Sequence, residues 1–268
     1  MKRSDRELWQ GQTVILAAAR AGAGKPCQFC KGMETVMVED GPEGKRIVGC
    51  VCVLVREEVA AAVLYQDASH VGPADRQRDF GQVKQYGTAA QWETMRPFSN
   101  ALKSLIASPH KHKWLLVSGS PGCGKSHMLL SAYNRLRQDA IFANVTELSV
   151  RLRQGLDRSD RPKPDGWMET SELEDLLAQV PVLFLDDLGA ENPNSEFIQS
   201  TLTDIVARRY QMELERPTVI STNLAFEQLY KRYPRLGSRA LDKELVESVK
   251  ITLPDHRSWV PAAEKKVK

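Results

Sequence analysis

Through the carboxyl-terminal two thirds of the chain, short apolar runs alternate with amphipathic stretches. The runs are Trp114–Val117, Ala140–Val145, Val180–Leu185, Thr218–Ser221 and Val249–Leu253, each about strand length. Continuous apolar runs suit strands buried on both faces. Between them lie segments of helical spacing such as His127–Leu136 and Phe197–Tyr210. From about Ala89 this alternation predicts an α/β fold, a parallel sheet flanked by helices. Upstream, Val53–Ala68 reads as a helix with Val55, Val59, Ala62 and Val63 on one side, and the polar stretch SHVGPADRQRDFGQVKQYG reads as a linker. Two domains are expected, 1–80 and 81–268.

Composition adds little, since 26% charged and 42% hydrophobic residues are ordinary for a globular chain. A net charge of +3 on 268 residues permits contact with nucleic acid without arguing for it, so any DNA-binding surface must be local. No run approaches the roughly 18 apolar residues of a membrane span. Thr13–Ala19 is short for a signal-peptide core and is followed by further Arg and Lys, so a cytoplasmic protein with no membrane contact is expected. The charged tail EKKVK reads as a frayed terminus.

Candidate chemistry begins at Gly119-Ser120-Pro121-Gly122-Cys123-Gly124-Lys125-Ser126, which fits GxxxxGK[ST] between the strand WLLVS and a helix that opens with His127. Glycines let backbone N–H groups turn inward around phosphates, and the helix N-terminus adds its positive end. Lys125 would reach the β- and γ-phosphates of ATP, and the Ser126 hydroxyl would ligate Mg²⁺. The Gly-Lys pair in Ala21–Pro26 is discarded, because no strand precedes it and proline replaces Ser or Thr. Cys123 occupies a loop position where the backbone matters more than the thiol. In PVLFLDDLGAE an apolar strand ends in Asp186, a Mg²⁺ ligand through water, and Asp187, which would polarise the attacking water. That carboxyl edge is where open α/β sheets bind ligands. PTVISTN ends a further strand at the same edge with Asn223, placed to orient water or touch the γ-phosphate.

These segments, with VARRY, LGSRAL and LPDHR, resemble in order and spacing the DnaC/DnaI-type helicase loaders and the related IstB transposition ATPases of the AAA+ class, from about Asn100 to Arg257. The resemblance implies an ATPase acting as a homo-oligomer, with a replicative DnaB-like helicase and single-stranded DNA as partners. It matches Arg239 to the arginine finger that reaches a neighbouring subunit's ATP, and it places Arg208-Arg209-Tyr210 near the subunit interface. Asp187 stands where many AAA+ proteins carry Glu. The sequence stops soon after Arg257, which leads to an expectation of no C-terminal lid domain.

Cys27-Gln-Phe-Cys30 and Cys50-Val-Cys52 are separated by two short apolar stretches around DGPEG, which reads as two metal-binding corners joined by a β-hairpin. Four thiolates would close a tetrahedral Zn²⁺ site and stabilise a module too small for much core. A redox CxxC lacks a surrounding βαβ unit. The spacing is similar to the amino-terminal zinc module of some helicase loaders, which docks on the helicase, whereas IstB-like proteins usually lack it. Arg151, Arg153, Arg158, Arg161 and Lys163 form a basic run that would follow a DNA backbone or face solvent. The expected function is helicase loading. The alternatives are an IstB-like helper of a transposase and a small-molecule P-loop kinase, the last disfavoured by Asn223 and Arg239.

Overall fold

The computed structural model describes residues 27–39, 45–69, 71–109, 112–157, 167–212, 215–240 and 242–258. The amino-terminal stretches Thr13–Ala19 and Ala21–Pro26, the DGPEG turn, Arg158, Arg161, Lys163 and the EKKVK tail lie outside them. The chain divides into two compact units, Met1–Leu64 and Tyr65–Lys268.

In the first unit, β1 (Thr35–Glu39) pairs antiparallel with β2 (Lys45–Gly49), with Met37 opposite Ile47. Helix α1 (Val51–Ser69) follows at once, and its residues from Tyr65 onward belong to the second unit. Cys30, Val48, Cys50, Val51, Leu54 and Val55 form the small core of the first unit. The apolar spacing of α1 is helical as expected, but its burial is not, since Val59 and Val63 are 51% and 54% exposed. The core extends only as far as the first turns of the helix.

The second unit is built on β3 (Trp114–Gly119), β4 (Ala140–Asn144), β5 (Val182–Leu188), β6 (Thr218–Thr222) and β7 (Val246–Ile251), all parallel in the order β4-β5-β6-β3-β7. Each of the five apolar runs contributes to one of these strands. Successive residues of a strand face opposite sides. Leu115, Val117, Phe142 and Phe184 therefore join α2 (Ala89–Glu93), α3 (Met95–Ala107) and α4 (Lys125–Leu136) on one face. Trp114, Leu116, Ile141, Leu183 and Leu185 pack on the other against α5 (Val145–Gln154), α6 (Thr170–Gln179), α7 (Glu196–Tyr210), α8 (Phe226–Arg232) and α9 (Pro234–Ala240).

The strand order brings the carboxyl ends of β3, β5 and β6 side by side. Ser118 is level with Thr222 across β3 and β6, and Asn144 with Asp186 across β4 and β5. Residues 71–87, polar enough to read as a linker, are packed within this unit. Val71 and Tyr86 are buried, Asn134 of α4 donates to the carbonyls of Asp75 and Arg78, and Arg135 pairs with Asp79. At the outer edge of β4, the Phe142 N–H donates to the Ser69 hydroxyl at 3.0 Å.

Candidate functional site

Strand β3 delivers Gly119 to the sheet edge, Ser120–Gly124 turn over it, and α4 begins at Lys125. The turn requires left-handed backbone at Gly122 (φ 72°) and Gly124 (φ 97°), which glycine adopts at little cost. This is the physical content of the motif's glycine spacing. Lys125 is almost wholly buried, and its ammonium donates to the carbonyls of Gly119 (2.8 Å) and Ser120 (3.1 Å) and to Oδ1 of Asn223 (2.7 Å). These acceptors are neutral, so they leave the positive charge to act on an anionic ligand. His127, one position past Ser126, has its Nε2 3.0 Å from the Asp79 carbonyl, and Cys123 is buried beneath the loop.

The two carboxylates of β5 are held differently. Asp186 is buried, and Ser221 on the adjacent strand donates to its Oδ1 at 2.5 Å. Burial pushes the Asp186 carboxyl above the ordinary range, the Ser221 and Ser126 hydroxyls pull it back, and the neighbouring Asp187 adds repulsion. Asp187 sits at φ 58°, beside a register shift in β5, with its N–H on Ser221 Oγ at 3.0 Å. Left-handed backbone at a non-glycine residue is strained and persists where neighbours fix it. The bend turns Asp187 toward Asn223, whose Nδ2 donates to Asp187 Oδ1 at 3.2 Å.

Asn223 thus bridges Lys125 and Asp187. Ser221, which ties the Asp186 carboxylate to the Asp187 backbone N–H, was not anticipated; its signal was a hydroxyl in the middle of a buried strand.

Lys125, Ser126, Asp186, Asp187 and Asn223 line one cleft of about 790 Å³, together with Pro121, Gly122, Gly124 and His127. Its volume lies within the roughly 300–1,000 Å³ of small-molecule sites. The Ser126 hydroxyl and the Asp186 carboxylate are hard oxygen donors, a set that fits Mg²⁺.

In the first unit the sulfurs of Cys27, Cys30, Cys50 and Cys52 all lie within 4.8 Å of one another. Cys27 and Cys50 are 3.6 Å apart and Cys30 and Cys52 3.5 Å. Zn–S bonds of about 2.3 Å in a tetrahedron place sulfurs about 3.8 Å apart, so the donor set fits Zn²⁺. Left-handed Lys31 and Gly32 turn the chain after Cys30, while Cys52 lies in the first turn of α1. The CxC pair meets the CxxC pair across the module, Cys50 against Cys27 and Cys52 against Cys30. Burial raises the Cys30 thiol, but hydrogen bonds from the Gly32 backbone, Cys52, the Glu34 backbone and Cys50 outweigh it and bring the group down to about 6.

Among solved structures, the chain is similar to DnaI, with 22% identity and a TM-score of 0.51 over 72% of this chain and 99% of that one. It is also similar to the DnaC helicase loader, with 20% identity and a TM-score of 0.50 over 67% and 99%. AMPPCP-bound DnaA from Aquifex aeolicus matches at 18% identity and a TM-score of 0.55, over 69% of this chain and 52% of that one. The chain shares the fold of DnaI and of the DnaC helicase loader. Residues 115–203, from the P-loop strand through the Asp186 strand, match the model of the viral superfamily 1 RNA helicase core domain. No curated protein matches.

The remaining loader-type expectations concern arginines. In the second unit Arg239 does not line the cleft of its own chain. It is half-buried, its guanidinium lies 4.8 Å from the Tyr210 ring centroid, and its Nη1 is buried with no hydrogen-bond partner among the described residues. Arg209 is fully buried, donating to the Thr218 hydroxyl and to main-chain carbonyls including Leu177, Val180 and Pro217. Arg208 pairs with Asp175, and Tyr210 donates to Asp242. Of the basic run, Arg151 is half-buried with its guanidinium on the Ala68 carbonyl, and Arg153 is exposed.

Proposed function

We propose that the protein binds Mg-ATP in this cleft, hydrolyses it, and uses the nucleotide cycle to load a hexameric DnaB-like helicase onto single-stranded DNA as a homo-oligomer. The convergence of Lys125, Ser126, Asp186, Asp187 and Asn223 on one sheet edge carries the reading. Lys125 would neutralise the β- and γ-phosphates, releasing the Gly119 and Ser120 carbonyls as it does so. Ser126 and Asp186 would hold Mg²⁺, which supplies charge compensation when bound. Asp187, oriented by Asn223 and by its strained backbone, would accept a hydrogen bond from the attacking water. Arg239 would stabilise the transferring phosphoryl group of an adjacent subunit.

The four-cysteine module favours a loader over an IstB-like transposition helper. It is read as holding zinc and as the part that docks on the helicase.

Lys125→Ala is expected to abolish tight ATP binding while the circular dichroism spectrum stays that of the folded protein. Unchanged affinity in the folded variant would remove the nucleotide assignment. Affinity purification from the native cell separates the biological readings: recovery of a hexameric helicase supports loading, and recovery of a transposase replaces it.

A further inference from the structure

We infer that the segment Leu253–Arg257 is part of the nucleotide site, and that Arg257 sets nucleotide affinity by neutralising Asp255 where that carboxylate abuts the P-loop. This rests on the ATP reading above and gives a role to the LPDHR residues, which the sequence linked to the loaders by resemblance alone.

The segment follows β7, and its last two residues, His256 and Arg257, line the cleft. Leu253 is completely buried in the core shared with α3 and α4, which anchors it. The His256 N–H donates to the Gly122 carbonyl at 3.1 Å, and the Tyr86 hydroxyl donates to the same oxygen at 3.3 Å. Between these anchors, Asp255 is pressed against the loop, so that a Cβ on Gly122 would lie 1.9 Å from its Oδ1. Glycine at 122 is therefore needed twice, for its left-handed φ of 72° and for the space the carboxylate occupies.

A carboxylate in that place opposes the function of the loop, which is to gather phosphate oxygens onto backbone N–H groups. Arg257 answers it on three contacts: its N–H and Nε donate to Oδ1 at 2.9 Å each, and its Nη2 to Oδ2 at 2.8 Å. These contacts hold the Asp255 carboxyl down to about 2. The Arg257 side chain is 65% exposed, and an ion pair so open to water adds little to fold stability. Its effect falls on the anion bound next to it. His256 and Arg257 line the same cleft as Lys125 and Asp186.

In a solvated site, uncovering one negative charge beside a bound polyphosphate weakens binding on the order of tenfold. Equilibrium binding of a fluorescent ATP analogue with Mg²⁺, measured on the full chain, tests this. Arg257→Ala is expected to bind about tenfold more weakly than the unaltered protein, and Arg257→Lys nearly as well as it. The double change Asp255→Asn with Arg257→Ala removes both the repulsion and its neutraliser, and is expected to recover affinity to within about threefold.

Wild-type affinity in Arg257→Ala would overturn the inference. So would a double variant as weak as Arg257→Ala alone, because Arg257 would then grip phosphate itself. Lys125→Ala is run alongside: if it binds as the unaltered protein does, the nucleotide reading fails first and takes this one with it.

Discussion

Arg209 carries a formal charge into the interior and is satisfied there by neutral oxygens. Its three nitrogens reach carbonyls at the end of α6, at the entrance to β5 and just before β6, as well as the Thr218 hydroxyl. One side chain thus ties the starts of the two strands that later present Asp186 and Asn223. Removing it strands several buried carbonyls, each costing about 1–3 kcal/mol when left unpaired. Arg209→Leu is expected to lower stability by about 3 kcal/mol or more. Arg209→Lys should recover only part of that, since an ammonium cannot span the same fork of acceptors. Arg208→Ala, next door, breaks only the exposed pair with Asp175 and should cost under about 1 kcal/mol. Urea unfolding of the three variants checks the ranking, and equal midpoints for Arg208→Ala and Arg209→Leu would contradict it.

At the scale of elements, the hairpin β1–β2 and the start of α1 are organised by the four cysteines more than by apolar burial, because Met37 and Ile47 are 65% and 70% exposed. About one zinc per chain is expected on elemental analysis, lost in Cys50→Ser with Cys52→Ser, while ATP binding is spared. A folded hairpin free of metal would remove zinc from the account. The sheet was legible because most of its strands carry a continuous apolar run, and Gly-x-Gly-Lys spacing is a local signature of a backbone turn. Strand β7 was read from Val249 although it starts at Val246, since Glu247 and Ser248 interrupt the apolar run on an edge strand that need not be buried on both sides. The packing of residues 71–87 and the contact of Asp255 with the P-loop escaped for another reason. Their contacts are with residues far away in sequence, such as Asn134 and Gly122, and leave no periodic trace.

At the scale of the whole molecule, the one arginine matched to a finger, Arg239, does not line the cleft of its own chain. Arg239→Ala should still bind ATP, because Lys125, Ser126 and Asp186 are untouched, yet hydrolyse it up to about 10³-fold more slowly. Mixing it with Asp187→Asn pairs a sound cleft with a sound arginine at some interfaces, and activity above the sum of the two variants is the expected sign of action in trans. No gain, with mixed oligomers demonstrated, would confine Arg239 to its seat on the Tyr210 ring. How copies meet is also limited by the margin of the sheet. The Ser69 hydroxyl already takes the Phe142 N–H on the outer side of β4. A foreign strand arriving there would have to displace a helix terminus to begin a ladder. Opposite, β7 offers Glu247 and Lys250 along its length. Among the described residues both margins of the sheet therefore resist lengthening by addition of strands, which guards crowded copies against fibrous aggregation.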